Sequence, residues 1–255
     1  MLIGLASVKG SPGVTSTALA LTAVWPRPAV LLEADPTGGD LAYRCRAAHG
    51  GPVYASKGLL TLAAAVRGGV PGPEALFEQS QMLACGVNLV QGVSSAAQAR
   101  GLGTLWATIA EACRVSEVDV IADLGRLERT SAVMPLAEAA DYLLTVASTS
   151  LESVMHLTGG LIELTASLRN RGAVRVEPVL VGPDAHAAGD CADLDEMLSR
   201  AGLPVQATQP MPYDPRALER LEQGEKATGR LGRTLLLRAA RAMAGSMVEL
   251  EVVGA

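Results

Sequence analysis

Short apolar runs alternate with longer amphipathic stretches along this chain, a pattern that predicts repeated βα units feeding a parallel sheet. Strands are expected at Leu2–Ser7, Ala29–Glu33, Val87–Gln91, Val118–Ala122, Tyr142–Ala147, Arg175–Val181 and near Val205–Ala207. The helical period marks Ser16–Val24, Leu59–Val66, Leu102–Ala112, Leu151–Arg169, Leu194–Ala201 and Arg230–Met243. Gly68–Pro73 and Gly182–Asp190 read as loops within a domain, because glycine and proline punctuate them. The expectation is an α/β fold: a doubly wound, mostly parallel sheet with helices on both faces, in three layers, spanning 1–255 as one domain.

Composition narrows what such a domain does. With 255 residues, 49% of them hydrophobic, the chain can bury a full core. A net charge of -5 argues against gripping nucleic acid through its phosphates, which needs a basic surface. Aromatic residues make up only 3%, too few for a base-stacking platform. Cys45, Cys85, Cys113 and Cys191 lack zinc or redox spacing and read as buried thiols of a reducing compartment. The opening MLIGLASVKG has no signal-peptide pattern and no apolar run reaches membrane-spanning length, so a cytoplasmic protein is expected. His49, His156 and His186 have no ligand spacing and are assigned no metal. The final predicted helix carries Arg230, Arg233, Arg238 and Arg241, yet its alanine content favours packing on the sheet over lying on a membrane.

The candidate chemistry lies after the first strand, in Val8-Lys9-Gly10-Ser11-Pro12-Gly13-Val14-Thr15-Ser16-Thr17, where an apolar helix begins at once. In a strand, glycine loop and helix arrangement, glycines let the backbone approach phosphate oxygens. Successive amides then form an anion nest, and the helix N-terminus adds partial positive charge. The Thr15 or Ser16 hydroxyl is placed to ligate magnesium. Against the phosphate-loop pattern G-x-x-x-x-G-K-[ST], Gly13 and Thr15 are kept, while Val8 stands at the first glycine and Val14 at the lysine.

Here the sequence resembles the ParA/MinD family, whose variant loop reads K-G-G-x-G-K-[ST]-[ST] and carries an extra signature lysine near its start. Lys9, Gly10, Gly13, Thr15 and Ser16 match that variant; Ser11 and Val14 depart from it. Val30-Leu31-Leu32-Glu33-Ala34-Asp35-Pro36-Thr37-Gly38 resembles the family's apolar strand ending in D-x-D-P-x-G, with Glu33 in place of the first aspartate. Val118-Asp119-Val120-Ile121-Ala122-Asp123 is similar to a Walker B strand. Leu143 to Ser150 resembles the strand leading into a serine-rich turn. Met211-Pro212-Tyr213-Asp214-Pro215 is similar to the segment bordering the adenine, and Met211 to Leu218 is nearest the pilus-assembly and polar-localisation (CpaE/TadZ-like) branch.

The resemblance implies a P-loop NTPase-like fold with ATP and Mg²⁺ as ligands. Lys9, Gly10, Ser11, Gly13, Val14, Thr15, Ser16, Pro212, Tyr213 and Asp214 are then the nucleotide contacts, and Thr15, Asp35 and Asp123 hold the metal shell. Asp35, with Glu33 assisting, orients the attacking water. Lys9 reaches a partner's nucleotide across an ATP-bridged homodimer, and an unidentified protein partner is expected. Two functions follow. One is a slow ATPase switch that positions a cellular cargo, with Lys9 or Arg126 compensating for Val14. The other is a non-hydrolytic scaffold that dimerises and docks a localisation, secretion or pilus-assembly apparatus.

Overall fold

In the computed structural model of the chain, residues 1–10, 13–69, 72–168 and 174–254 are described. Ser11, part of the Gly68–Pro73 loop and the Arg169 end of the predicted helix lie outside the described residues.

Among the described residues, eight strands form one sheet in the order β3-β4-β2-β5-β1-β6-β7-β8. They are β1 (Leu2–Ser7), β2 (Ala29–Glu33), β3 (Gln81–Met82), β4 (Asn88–Val90), β5 (Asp119–Arg126), β6 (Tyr142–Ser148), β7 (Arg175–Gly182) and β8 (Gln209–Pro212). Each pairing is parallel except that of β3 with β4. The helices along the chain are α1 (Val14–Ala23), α2 (Leu41–Arg44), α3 (Leu59–Ala65), α4 (Ala75–Glu78), α5 (Ala96–Leu102) and α6 (Leu105–Val115). They continue with α7 (Met134–Ala139), α8 (Leu151–Leu168), α9 (Ala187–Arg200), α10 (Pro215–Glu222) and α11 (Leu235–Gly254).

Side chains alternate across a strand, so each apolar strand feeds two cores. In β1, Leu2 and Ala6 join one cluster with residues of α3 and α5 to α9, while Ile3 and Leu5 join a second with α1, α10 and α11. That division is the doubly wound, three-layer arrangement. It places α11 on the sheet, with Leu237, Ala240 and Met243 buried in the second cluster. No helix among the described residues is long and apolar enough to cross a membrane.

Several local expectations shift. The last strand is β8 at Gln209–Pro212 instead of Val205–Ala207. Its prolines argue against a central strand in the sequence, but β8 is a sheet edge, where a missing amide costs nothing to a neighbour. The predicted Leu102–Ala112 helix is α6, which starts at Leu105 because Leu102 ends a separate helix, α5, and Gly103 takes φ +50° between them. The Gly182–Asp190 loop is the end of β7, a 3₁₀ turn at Asp184–His186 and the first turns of α9, so this helix begins before Leu194. A 3₁₀ turn at Leu231–Arg233 precedes α11, displacing its start from Arg230. Strand β5 runs on to Arg126, so Asp123 lies inside the strand, level with Leu5 and Glu33, and not at its end.

Strand order fixes where ligands gather. The chain leaves β1 for β2 on one side of β5 and leaves β5 for β6 on the other. This reversal is a topological switch point, and in open parallel sheets the crevice beyond the carboxyl ends of such strands is the binding place.

Candidate functional site

The loop after β1 needs its glycines. Gly10 takes φ +36° and Gly13 φ +121°, backbone that residues with a Cβ rarely adopt. Gly13 is the N-cap of α1 and makes no side-chain cap, so the first-turn amides meet no capping oxygen from it. Those amides and the helix dipole make a site for negative charge. Val8, at the pattern's first glycine, packs on α8: a Cβ added at Gly160 would meet Val8 Cγ1 at 2.1 Å. The glycine in mid-helix is thus the seat for the start of the loop.

A cavity of about 410 Å³ opens over this loop, lined by Gly10, Gly13, Val14, Thr15 and Ser16 from one side. Ser7, Asp35, Thr37, Arg44, Gly125 and Arg126 close it from the others. Asp35 Oδ1 accepts from the Thr37 amide and hydroxyl, both at 2.7 Å. Its carboxyl group lies against Gly125, where an added Cβ would meet Asp35 Cγ at 2.2 Å, and Gly125 itself takes φ +61°. The tips of β2 and β5 therefore meet through a glycine that no larger residue replaces.

Asp123 sits behind this wall, 1% exposed. Its Oδ1 accepts from the Gly125 amide at 3.0 Å, and Oδ2 is buried without a partner. Burial pushes the carboxyl up from 3.8 to about 7, the Thr15 and Gly125 bonds oppose that rise, and the charges of Asp35 and Glu33 add to it. A carboxylate with a buried, unanswered oxygen beside a hydroxyl fits a nearby cation. Among the described residues no three His, Cys, Asp or Glu side chains form a complete metal cage. The fit is therefore to Mg²⁺, which binds through one or two protein groups, phosphates and water. Thr15, Asp35 and Asp123 are the groups that would hold it, and the ion would neutralise phosphate charge.

Glu33 is not part of this arrangement. Its Oε1 accepts from Leu41 N at 2.8 Å and its Oε2 from Gly92 N at 3.0 Å. Burial raises its pKa while these amides lower it. Both oxygens anchor the turn after β2 and the end of β4, which corrects the water-orienting role that the resemblance implied for Glu33. Glycines at 39 and 92 leave room for the side chain, since a Cβ at Gly39 would meet Oε2 at 2.2 Å.

Lys9 also departs from the expected cradle. Its Nζ lies 2.8 Å from His156 Nε2 on α8. It lines a neighbouring groove of about 680 Å³, between α8 and residues 126–130, instead of the loop cavity. Arg126 lines both and pairs with Glu128 at 2.5 Å. Val14 is buried in the apolar cluster beneath α1 and brings no charge to the loop.

A second cavity, of about 510 Å³, adjoins the first through Gly13 and Ser16, which line both. Pro212, Tyr213 and Asp214 line it together with Val181, Met211 and Leu236. Such an apolar volume suits a planar base. Asp214 is already engaged, its Oδ1 accepting from Ala217 N at 3.0 Å to cap α10.

Sequence patterns missed Arg44. It ends α2, lines the loop cavity and donates from Nη2 to Ser16 Oγ at 3.2 Å. No motif covers it; the available signal was an arginine shortly after the D-P-x-G turn.

No protein-family model and no curated protein matches the chain. Solved structures do. A ParA family ATPase from Chlorobium tepidum superposes with a TM-score of 0.72 at 17% identity, over 95% of this chain and 96% of that one. The septum site-determining protein MinD of Pyrococcus horikoshii, complexed with Mg-ADP, gives 0.69 at 15% identity over 100% and 98%. A cobyrinic acid a,c-diamide synthase from Mycobacterium smegmatis, with bound ADP and magnesium, gives 0.69 at 16% over 100% and 96%. The layered sheet and its crevice are thus built on the fold of the ParA/MinD-type P-loop ATPases.

Proposed function

We propose that this protein is a ParA/MinD-type switch that binds Mg·ATP in the loop cavity and hydrolyses it slowly, in the spatial positioning of a cellular cargo. The observation that carries the reading is the buried Asp123 carboxyl behind the loop, with one carboxylate oxygen left without a partner. Asp35 lies across the same cavity, and the apolar cavity next to it accommodates the base. The names of the ParA and MinD neighbours support a positioning role; the Mg-ADP and ADP-magnesium complexes support the ligand. On this reading the protein works in the cytoplasm, as an ATP-bridged homodimer in which Lys9 acts on the partner's nucleotide, and hands its state to a protein partner.

Val14 sets the rate. Losing one positioned cation costs about 3 kcal/mol of transition-state stabilisation, which is about 100-fold in turnover. Purified protein with magnesium and ATP is expected to release phosphate slowly, and Asp35→Ala and Lys9→Ala to abolish the release. Equal release by these variants and the wild type counts against the reading.

A second reading is favoured by the burial of Val14 and the turn of Lys9 toward His156, which leave the loop cavity without a lysine. The protein is then a nucleotide-binding scaffold without turnover, docking a localisation, secretion or pilus-assembly apparatus. Calorimetry with Mg·ATP beside the phosphate assay separates the two: binding without release selects the scaffold.

A further inference from the structure

We infer that Arg44 is the residue that binds the nucleotide's phosphate chain in place of the lysine absent at position 14, and that Glu222 holds it back until phosphate arrives. The inference rests on the nucleotide reading above.

Two cations line the loop cavity among the described residues, Arg44 and Arg126. Arg126 is at the rim, its side chain 53% exposed and paired with the equally exposed Glu128. Arg44 is more deeply set, 30% exposed, and touches the first turn of α1 through Ser16. Ser16 lines both the loop cavity and the apolar cavity. The guanidinium therefore stands where the phosphates nearest the base would pass, and a guanidinium stays charged and forks onto phosphate oxygens.

Its position is built in. Buried Glu33 fixes the start of α2 through Leu41 N, and Arg44 N donates to Asp40 O at 3.1 Å. Nε of Arg44 donates to Glu222 Oε1 at 2.9 Å, and Nη2 bonds the same oxygen. These contacts occupy part of a five-donor group. Glu222, 17% exposed, ends α10, whose first residue Pro215 lines the apolar cavity with Asp214 and Tyr213 before it. A phosphate at Ser16 competes with the Glu222 carboxylate for the same fork. Occupancy of the loop cavity thereby loosens the far end of the element that begins at the base cavity.

Competition gives opposite signs for the two partners, whereas a purely structural ion pair gives the same sign. Titration calorimetry would use the full chain with Mg·ATP, adenosine and inorganic tripolyphosphate, and circular dichroism would check each variant's fold. Arg44→Ala is expected to weaken Mg·ATP and tripolyphosphate by about 10 to 100-fold and leave adenosine unchanged, since charged contacts of this kind are worth about 1.5–3 kcal/mol. Arg44→Lys should fall between, and Glu222→Gln should tighten Mg·ATP severalfold. Weakening by Glu222→Gln, or wild-type affinity in Arg44→Ala, overturns the inference. If Arg44→Ala does not fold, Arg44→Lys and Glu222→Gln decide it by the same signs. Failure of the nucleotide reading looks different: the wild type then binds neither Mg·ATP nor tripolyphosphate, and the inference falls with it.

Discussion

Replacing Asp123 with asparagine separates the electrostatic cost of this carboxyl from its use. In the folded protein burial holds its pKa at about 7 against an ordinary 3.8, although the Thr15 and Gly125 bonds pull the other way. Between those two values the folded protein keeps a proton that the unfolded chain releases. Stability is therefore greatest below 3.8, falls as pH rises toward 7, and is flat above. At 1.36 kcal/mol per pH unit the loss is about 4 kcal/mol. The amide introduced by Asp123→Asn does not ionise, so the variant lacks this slope. Urea denaturation of both proteins at constant ionic strength, free of metal and nucleotide, is expected to show Asp123→Asn gaining about 4 kcal/mol on the wild type between pH 4 and pH 8. Glu33, also raised by burial, is present in both proteins and largely cancels in the difference. Magnesium with ATP should then stabilise the wild type above pH 7, where the carboxylate is ionised, by more than it stabilises the Asp123→Asn variant. A flat difference across the window, or one of opposite slope, would falsify the account of Asp123 as a buried acid awaiting a cation.

Three other variants address the neighbouring groups. Glu33→Gln keeps an acceptor for only one of Leu41 N and Gly92 N, so chemical denaturation should show a loss of about 1–3 kcal/mol that is independent of magnesium; a loss appearing only with the metal would restore Glu33 to the metal shell. Gly125→Ala must place a Cβ on the Asp35 carboxyl at a positive φ, costing about 1–2 kcal/mol from backbone alone, and calorimetry should find Mg·ATP binding lost in a folded protein. Retained binding would show that the placement of Asp35 is dispensable. Lys9→Ala should leave the affinity of the monomer for Mg·ATP, measured at dilution, unchanged and remove ATP-dependent dimerisation in analytical ultracentrifugation, because Lys9 lies outside the loop cavity of its own chain. An undiminished dimer counts against its action across the interface.

What was legible in the sequence is what neighbouring residues dictate. The apolar runs of β1 and β2 and the glycines that turn the loop into α1 follow from local periodicity and backbone freedom, and Asp35 and Asp123 were marked by the motifs they resemble. Edge strand β8 was displaced because its prolines are tolerable only at an edge, and the edge is set by strand order. The same holds at the candidate site. Glu33 resembles a metal-shell acid by position, yet Gly92, 59 residues away, and the turn at Leu41 use up its oxygens. Arg44 reaches the loop fixed by Glu222, 178 residues on, and Lys9 meets His156 at a separation of 147. Asp123 acquires its high pKa only from the packing around it. Sequence alone determined the loop and the acids that its neighbouring motifs mark; long-range packing and hydrogen bonding brought Arg44 to the crevice and decided which groups remain open to a ligand.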